Sequence, residues 1–312
     1  MPSCIDVAQA VQLLIAGEVV AIPTETVYGL AAALAMPKAI EKVFALKRRP
    51  ANNPLITHIA SPAYLPAFSE SLPKGWQVLS EAFWPGPLTL VVEINPQRVP
   101  VIARAGLSTA AFRVPKHPTA LEIVKQAGPL VAPSANKSGS PSATTPEHVF
   151  HDFDTSVPCV NAGPCLLGVE STVLVHPKDR WELARLGAIS QEELANVLGY
   201  TPQLHSSDVD VAAICPGQLH RHYAPTTQLV LSSEAYTGEI PVVVGFSDRS
   251  YSQAQQVFSL GHSEDVKACL KQLYNTLREL DLQEIPVAWV DMQLPQQGLW
   301  LTLIERLQRA SS

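Results

Sequence analysis

Apolar residues follow two different periods along this chain, and the switches between them predict its elements. From residue 5 to 16 they recur at helical spacing, with Val7, Val11, Leu14 and Ile15 on the inward face. Gly17 then punctuates, and Val19-Val20-Ala21-Ile22 is a short unbroken apolar run such as a buried strand carries. Pro37 opens a helix that continues through Leu46, because proline is preorganised for a first turn; Ile40, Val43 and Phe44 would face the core. Strands are predicted near 54–59, 87–94 and 109–114, a helix over 118–127, a short strand at 129–132, and strands near 170–175 and 181–185. Ser190-x-x-Glu193 reads as a capping box for a helix ending near Gly199. The text then turns polar as far as Pro225, as an inter-domain linker does. Beyond it come an apolar run at 229–231, a strand at 241–246, a helix at 263–280, a strand at 286–290 and a terminal helix at 298–309. The expected class is α/β: an open twisted mixed sheet over residues 1–200, a linker over 201–225, and a smaller α/β domain with a largely parallel sheet over 226–312.

Composition narrows the function classes. Hydrophobic residues make up 46% of the 312 and charged ones 16%, which suits globular domains and not a disordered chain. No apolar run approaches the eighteen or so residues of a membrane span. The start, Met1-Pro2-Ser3-Cys4-Ile5-Asp6, has neither a basic region nor a signal-peptide core, so a cytoplasmic protein is expected. The five cysteines are scattered and form no Cys-x-x-Cys pair, against a disulfide framework or a zinc site. The net charge of −6 is uneven: residues 1–200 hold 15 Lys+Arg against 16 Asp+Glu, and 201–312 hold 7 against 12. Within the nearly neutral first part, Lys38, Lys42, Lys47, Arg48 and Arg49 cluster with Glu41 as the only acid among them. Such a cluster suits a small anionic ligand better than a long nucleic acid. For Lys38 and Lys42 a solvated helix face is the preferred reading.

The most informative string is Pro23-Thr24-Glu25-Thr26-Val27-Tyr28-Gly29-Leu30-Ala31-Ala32, directly after the first strand. It gathers hydroxyl and carboxylate side chains at a strand's carboxyl end, where α/β sheets place ligands; the plainer reading is a helix cap by Thr24 or Thr26. The string resembles the signature of the YrdC-domain family, whose members are L-threonylcarbamoyl-AMP synthases. Five further strings follow in the family's order. They are Ala45-Leu46-Lys47-Arg48-Arg49-Pro50 with Asn53-Pro54-Leu55-Ile56-Thr57-His58-Ile59; Phe83-Trp84-Pro85-Gly86-Pro87-Leu88-Thr89-Leu90; Ala132-Pro133-Ser134-Ala135-Asn136-Lys137-Ser138-Gly139 with Ser142; Gly168-Val169-Glu170-Ser171-Thr172-Val173; and Arg185-Leu186-Gly187. The resemblance covers roughly residues 5–200. Pro216-Gly217 and His222-Tyr223-Ala224-Pro225 resemble the linker of the family's longer members, although Cys215 stands where serine is usual and residues 218–221 are atypical.

What the resemblance implies is a YrdC-like sheet and a reaction of L-threonine, bicarbonate and ATP giving L-threonylcarbamoyl-AMP and pyrophosphate. The product would feed the tRNA threonylcarbamoyl-transfer machinery. Thr26, His58, Arg113 and Ser171 are carried over as L-threonine contacts. Lys47 and Arg49 would hold phosphate oxygens as the catalytic pair, and Asn53, Thr109, Ser134, Asn136, Ser142, Arg185 and Tyr223 would complete the ATP site. Without the resemblance, Lys47 and Arg49 equally fit a basic helix end that complements the dipole. Magnesium would travel with the triphosphate on phosphates and water, with no protein ligand assigned; Glu25 and Glu170 are candidates that equally fit structural hydrogen bonds. The chain lacks a Walker loop, a nucleophile elbow and a His-Glu-x-x-His motif, which suits catalysis by positioning. Residues 215–225 are expected to fold back over the nucleotide pocket as a lid, with Tyr223 near the ATP. A rival reading is a non-catalytic double-stranded RNA-binding or ribosome-assembly module. The acidic balance argues against it, and no strong direct nucleic-acid binding is expected.

Overall fold

The structure, a computed structural model, describes residues 4–205 and 223–312. The chain runs β1 (Cys4–Ile5), α1 (Val7–Ile15), β2 (Val20–Ile22), β3 (Gly29–Ala33), α2 (Pro37–Lys47) and β4 (Ile56–His58). After a short 3-10 helix (Pro62–Ala67) come α3 (Trp76–Phe83), β5 (Leu88–Glu93), β6 (Thr109–Arg113), α4 (Pro118–Ala127) and β7 (Leu130–Val131). Then follow α5 (Pro146–Phe153), β8 (Cys159–Val160), β9 (Thr172–Val175), β10 (Glu182–Arg185) and α6 (Gln191–Leu198). The last part holds β11 (Gln228–Ser232), β12 (Val242–Gly245), β13 (Gln256–Ser259), α7 (Val266–Leu282), β14 (Val287–Asp291) and α8 (Trp300–Ser311).

Strands β1 to β10 form one mixed sheet in the order β1-β8-β2-β3-β7-β4-β6-β5-β9-β10. β4 runs parallel to β6 and β5 to β9, while β2–β3 and β5–β6 are antiparallel pairs. Strand alternation decides which side chains meet which helices. Val20, Ile22 and Ala31 pack with Ala10 and Leu14 of α1 and Ile123 and Val124 of α4. Ala21 and Leu30 point the other way, into the cluster with Val43 and Phe44 of α2. With both faces covered, the strands near the middle read as continuous apolar runs. β11 to β14 form a separate, all-parallel sheet in the order β11-β14-β12-β13, as expected.

Several expectations are corrected. Ile15 is 53% exposed: the buried stripe of α1 runs through Ala10, Val11 and Leu14, and Ile15 lies about 100° further round. β1, β3, β8, β13, α3, α5 and the short 3-10 helix were not anticipated; Gly29-Leu30-Ala31-Ala32-Ala33 carries no alternation because all five residues are buried. The capping box forms as predicted, with Glu193 N–H donating to Ser190 Oγ (3.2 Å) and Ser190 N–H to Glu193 Oε2 (2.8 Å).

The two sheets meet along a seam made by α7 and α8. Gly168, at φ +70, lies so close to α7 that an added Cβ would stand 2.4 Å from Lys271 Cα. Val27 and Val169 join the apolar cluster of the second domain. Arg278 of α7 donates to Asp152 (2.8 Å) and to the carbonyl of Pro141 (2.6 Å), and Thr302 of α8 to the carbonyl of Gly187 (2.9 Å).

Candidate active site

The carboxyl ends of β4 and β6 build the floor of a cleft. His58 and Arg113 are register partners on these parallel strands and share a face with Ile56 and Ala111. Thr26, Val27, Arg49, Ile56, His58, Arg113, Ser134, Glu170, Ser171, Arg185 and Tyr223 line it. Arg113 is held by two segments: Nε donates to the carbonyl of Gly86 in the Trp-Pro-Gly-Pro turn (3.1 Å), and in the Pro23–Tyr28 loop Nη1 donates to Thr26 Oγ1 (2.9 Å) and Nη2 to Glu25 Oε1 (2.6 Å). Thr24 folds the Pro23–Tyr28 loop on itself, its Oγ1 accepting from the Thr26 N–H (3.1 Å) and donating to the Val27 carbonyl (2.6 Å). The plain helix-cap reading of Thr24 and Thr26 therefore fails, because the loop leads into β3 and not into a helix.

The basic segment divides its work. Arg48 takes the left-handed conformation that ends α2 (φ 52°), which turns Arg49 away from the helix. Arg49 lines the cleft, oriented by Asn53 Oδ1 (2.6 Å) and the carbonyl of Pro54 (2.9 Å). Lys47 is buried behind the cleft, not in its lining; its Nζ donates to the carbonyls of Ser134 (2.5 Å) and Asn136 (2.6 Å). Burial, and then the charge of Arg49, hold its pKa well below the usual lysine range. Its expected part at the phosphates thus becomes a brace for the Ser-Ala-Asn loop.

That loop is stitched to β3 through Leu30 N–H to Pro133 O (2.7 Å) and Ala135 N–H to Tyr28 O (2.7 Å). Asn136 turns inward, donating to the carbonyls of Lys137 and Ser140, and its buried Oδ1 has no partner. Ser142 stands behind the wall and donates to Glu170 Oε1 (2.6 Å). Ser171 pairs with Thr89 (2.7 Å) and accepts from Arg185 Nη2 (3.1 Å), which also donates to the Ser171 carbonyl (2.8 Å). Only glycine fits at 187, where a Cβ would lie 2.4 Å from the Ser171 backbone. Thr109 is not brought in: it opens β6, about 13 Å back along the strand from Arg113.

Tyr223 lines the cleft at 1% exposure and stacks on Tyr274 of α7 with ring centroids 5.4 Å apart. It therefore serves packing between the domains as well as the wall, and burial pushes its hydroxyl up to about 12. The next residue, Ala224, donates its N–H to the carbonyl of Gly139 (2.7 Å). The rest of the expected lid, 215–222, lies outside the described residues.

Electrostatics favour an anion. Arg49, Arg113 and Arg185 face one lining carboxylate, Glu170. Burial would raise the Glu170 pKa, but Arg306 and Arg185 outweigh it and hold the group ionised. Glu25 is likewise lowered by Arg113 against the opposing effect of burial, while its Oε2 stays buried without a partner. His58 Nδ1 is also buried without a partner, and burial, then Arg113, push its pKa down to about 3. It is a neutral imidazole at physiological pH, free to exchange a hydrogen bond with a ligand. Among the described residues no three His, Cys, Asp or Glu side chains converge on a metal position. Both oxygens of Glu170 are already engaged by Ser142, Tyr274 and Arg306, whereas Glu25 Oε2 is not.

Among the described lining residues, three guanidiniums, one carboxylate, hydroxyls and a neutral histidine make a cleft suited to holding anions, as a transferase of charged substrates needs. Comparison with known proteins agrees. Residues 12–187 match the Sua5–YciO–YrdC family model, described as telomere recombination, and 189–312 match that of the threonylcarbamoyl-AMP synthase C-terminal domain. The chain belongs to the Sua5–YciO–YrdC family and carries the synthase C-terminal domain. It is 37% identical to the threonylcarbamoyl-AMP synthase of Bacillus subtilis, covering 98% of this chain and 92% of that protein. For the synthase of Pyrococcus abyssi the identity is 36%, covering 95% and 91%. The crystal structure of P. abyssi Sua5 complexed with L-threonine is similar at a TM-score of 0.89 and 35% identity, over 98% of this chain and 94% of that one.

Proposed function

We propose that this protein is a nucleotidyltransferase that makes L-threonylcarbamoyl-AMP and pyrophosphate from L-threonine, bicarbonate and ATP. The observation that carries this reading is the cleft at the ends of β4 and β6, in a chain similar along its length to proteins named threonylcarbamoyl-AMP synthase. Arg113 receives the amino-acid carboxylate, with His58, Thr26 and Ser171 around the remaining polar atoms. Arg49 and Arg185 face the phosphates, and Ser134 and Tyr223 wall the nucleotide. Lys47, Asn53, Asn136 and Ser142 act from behind by fixing Arg49, the Ser-Ala-Asn loop and Glu170.

The threonine amine adds to CO2 derived from bicarbonate, giving a carbamate. A carbamate oxygen attacks the α-phosphorus, the bond to the bridging oxygen of pyrophosphate breaks, and pyrophosphate leaves. Such a step needs alignment and charge neutralisation more than a protein nucleophile. Magnesium, when bound, neutralises triphosphate charge. We take residues 1–200 as the catalytic unit and 226–312 as the accessory domain. The work is placed in the cytoplasm, where the tRNA threonylcarbamoyl-transfer machinery takes up the product; no helix among the described residues is long and apolar enough to cross a membrane. Mass spectrometry of a mixture of protein, L-threonine, bicarbonate, ATP and magnesium should show threonylcarbamoyl-AMP, and none when threonine is omitted. Its absence under every divalent-metal condition would overturn the reading.

A further inference from the structure

We infer that Arg306, in the last helix of the second domain, is a positioning residue for the nucleotide side of the cleft. Its side chain is completely buried, 136 residues away in sequence from its partner Glu170. Nε donates to Glu170 Oε2 (3.0 Å), Nη2 to the carbonyl of Leu186 (2.7 Å), and Nη1 pairs with Glu305. The guanidinium also lies over the Tyr223 ring, 4.7 Å from its centroid. Apart from Glu305, its neighbour on α8, each contact is to a different piece of the cleft wall or its backing. Glu170 and Tyr223 line the cleft directly, and Leu186 joins Arg185, which lines it, to Gly187, which is locked against Ser171. Through Glu170 the reach extends to Ser142, at the far end of the Ser-Ala-Asn loop.

A guanidinium buried solely for stability gains little, since desolvation offsets most of the attraction within an ion pair. A planar fork that fixes three segments at once gives geometry instead. Lysine would keep the charge but lacks the planar fork that aims Nε at Glu170 and Nη2 at Leu186. The second domain therefore completes the first domain's site through one side chain. This inference rests on the nucleotide side being where the proposed function puts it.

ATP affinity measured by calorimetric titration on the full chain tests it without turnover. Arg306→Lys should weaken ATP binding about tenfold, because Glu170, Leu186 and Tyr223 are no longer fixed together, with L-threonine affinity within about twofold of wild type. Arg306→Met leaves Glu170 buried and unpaired, so its melting midpoint should fall. In the double variant Arg306→Met, Glu170→Gln the midpoint should recover while ATP affinity stays low. Recovery of ATP affinity together with the midpoint, or wild-type ATP binding by Arg306→Lys, would show a merely structural ion pair and overturn the inference. A wild-type protein that binds ATP but forms no adenylate would refute the proposed function and still leave this comparison decisive; one that binds no ATP would refute both.

Discussion

The two sheets each present a carboxyl edge, and the edges differ in what they leave unpaired. At the first, His58 Nδ1, Glu25 Oε2 and Asn136 Oδ1 are buried without partners around the ends of β4 and β6. At the second, Asp291 closes β14 and accepts from Arg249 (2.9 Å), from the Tyr251 hydroxyl (2.7 Å) and from the Gln293 N–H (3.0 Å). Nearby, Asp248 takes both the N–H and the hydroxyl of Ser263. Parallel topology offers a ligand position at either edge. A ligand is needed only where buried polar groups lack other partners, since orphaned groups are costly and rare. The second domain thus contributes to the site through α7 and α8, not through its own edge.

Arg113 is where this contrast is most easily broken. Arg113→Ala removes both the proposed carboxylate contact and the partner of a Glu25 that is 4% exposed, so it should cost about 3–5 kcal/mol of stability and abolish threonine-dependent pyrophosphate release. Arg113→Lys keeps the charge and should fold, yet lose at least about a hundredfold in kcat/KM, because three directed contacts become at most one or two. A folded Arg113→Lys protein with normal turnover would remove Arg113 from the site.

Asp291→Asn should show the opposite pattern. It weakens a closed network and should lower stability by about 1–3 kcal/mol in denaturant titrations while kcat/KM for threonine stays within about twofold. A large loss of turnover with unchanged stability would mean that the second edge also binds something.

The sequence made one of these edges legible and not the other's silence. The strands carrying His58 and Arg113 follow from local pattern, although their pairing does not, and the motif strings named Thr26, Arg49, His58, Arg113, Ser134, Ser171 and Arg185, which line one cleft. Lys47 was expected at the phosphates because spacing cannot distinguish a side chain facing a ligand from one facing loop carbonyls. Thr109 was expected in the ATP site with Ser134 and Arg185, although it opens β6 at the end remote from Arg113. Glu170 was read as a metal ligand or equally as a structural hydrogen-bond partner, and the second holds; its partners Tyr274 and Arg306 could not be named, because they lie more than a hundred residues on, in helices whose text reads simply as amphipathic. Such long-range polar contacts have no periodic signature.

The smallest effect concerns pH. The His58 pKa of about 3 in the folded state lies below the ordinary value near 6.5, so the unfolded chain takes up the proton first. Stability attributable to the neutral form is complete above about pH 6.5 and is lost as pH falls towards 3. Between pH 6 and 8 the imidazole should stay neutral, with no chemical-shift titration by NMR; a midpoint near 6.5 would mean that His58 is solvated and not part of a closed cleft.

The most direct measurement is a crystal structure of the protein with L-threonine. Its carboxylate should lie within hydrogen-bond distance of Arg113, with His58 and Thr26 beside the molecule. Threonine found instead in the separate groove of about 610 Å³ between the domains, against Phe83, Leu167, Leu270 and Leu299, would contradict the assignment of the β4–β6 edge as the amino-acid site.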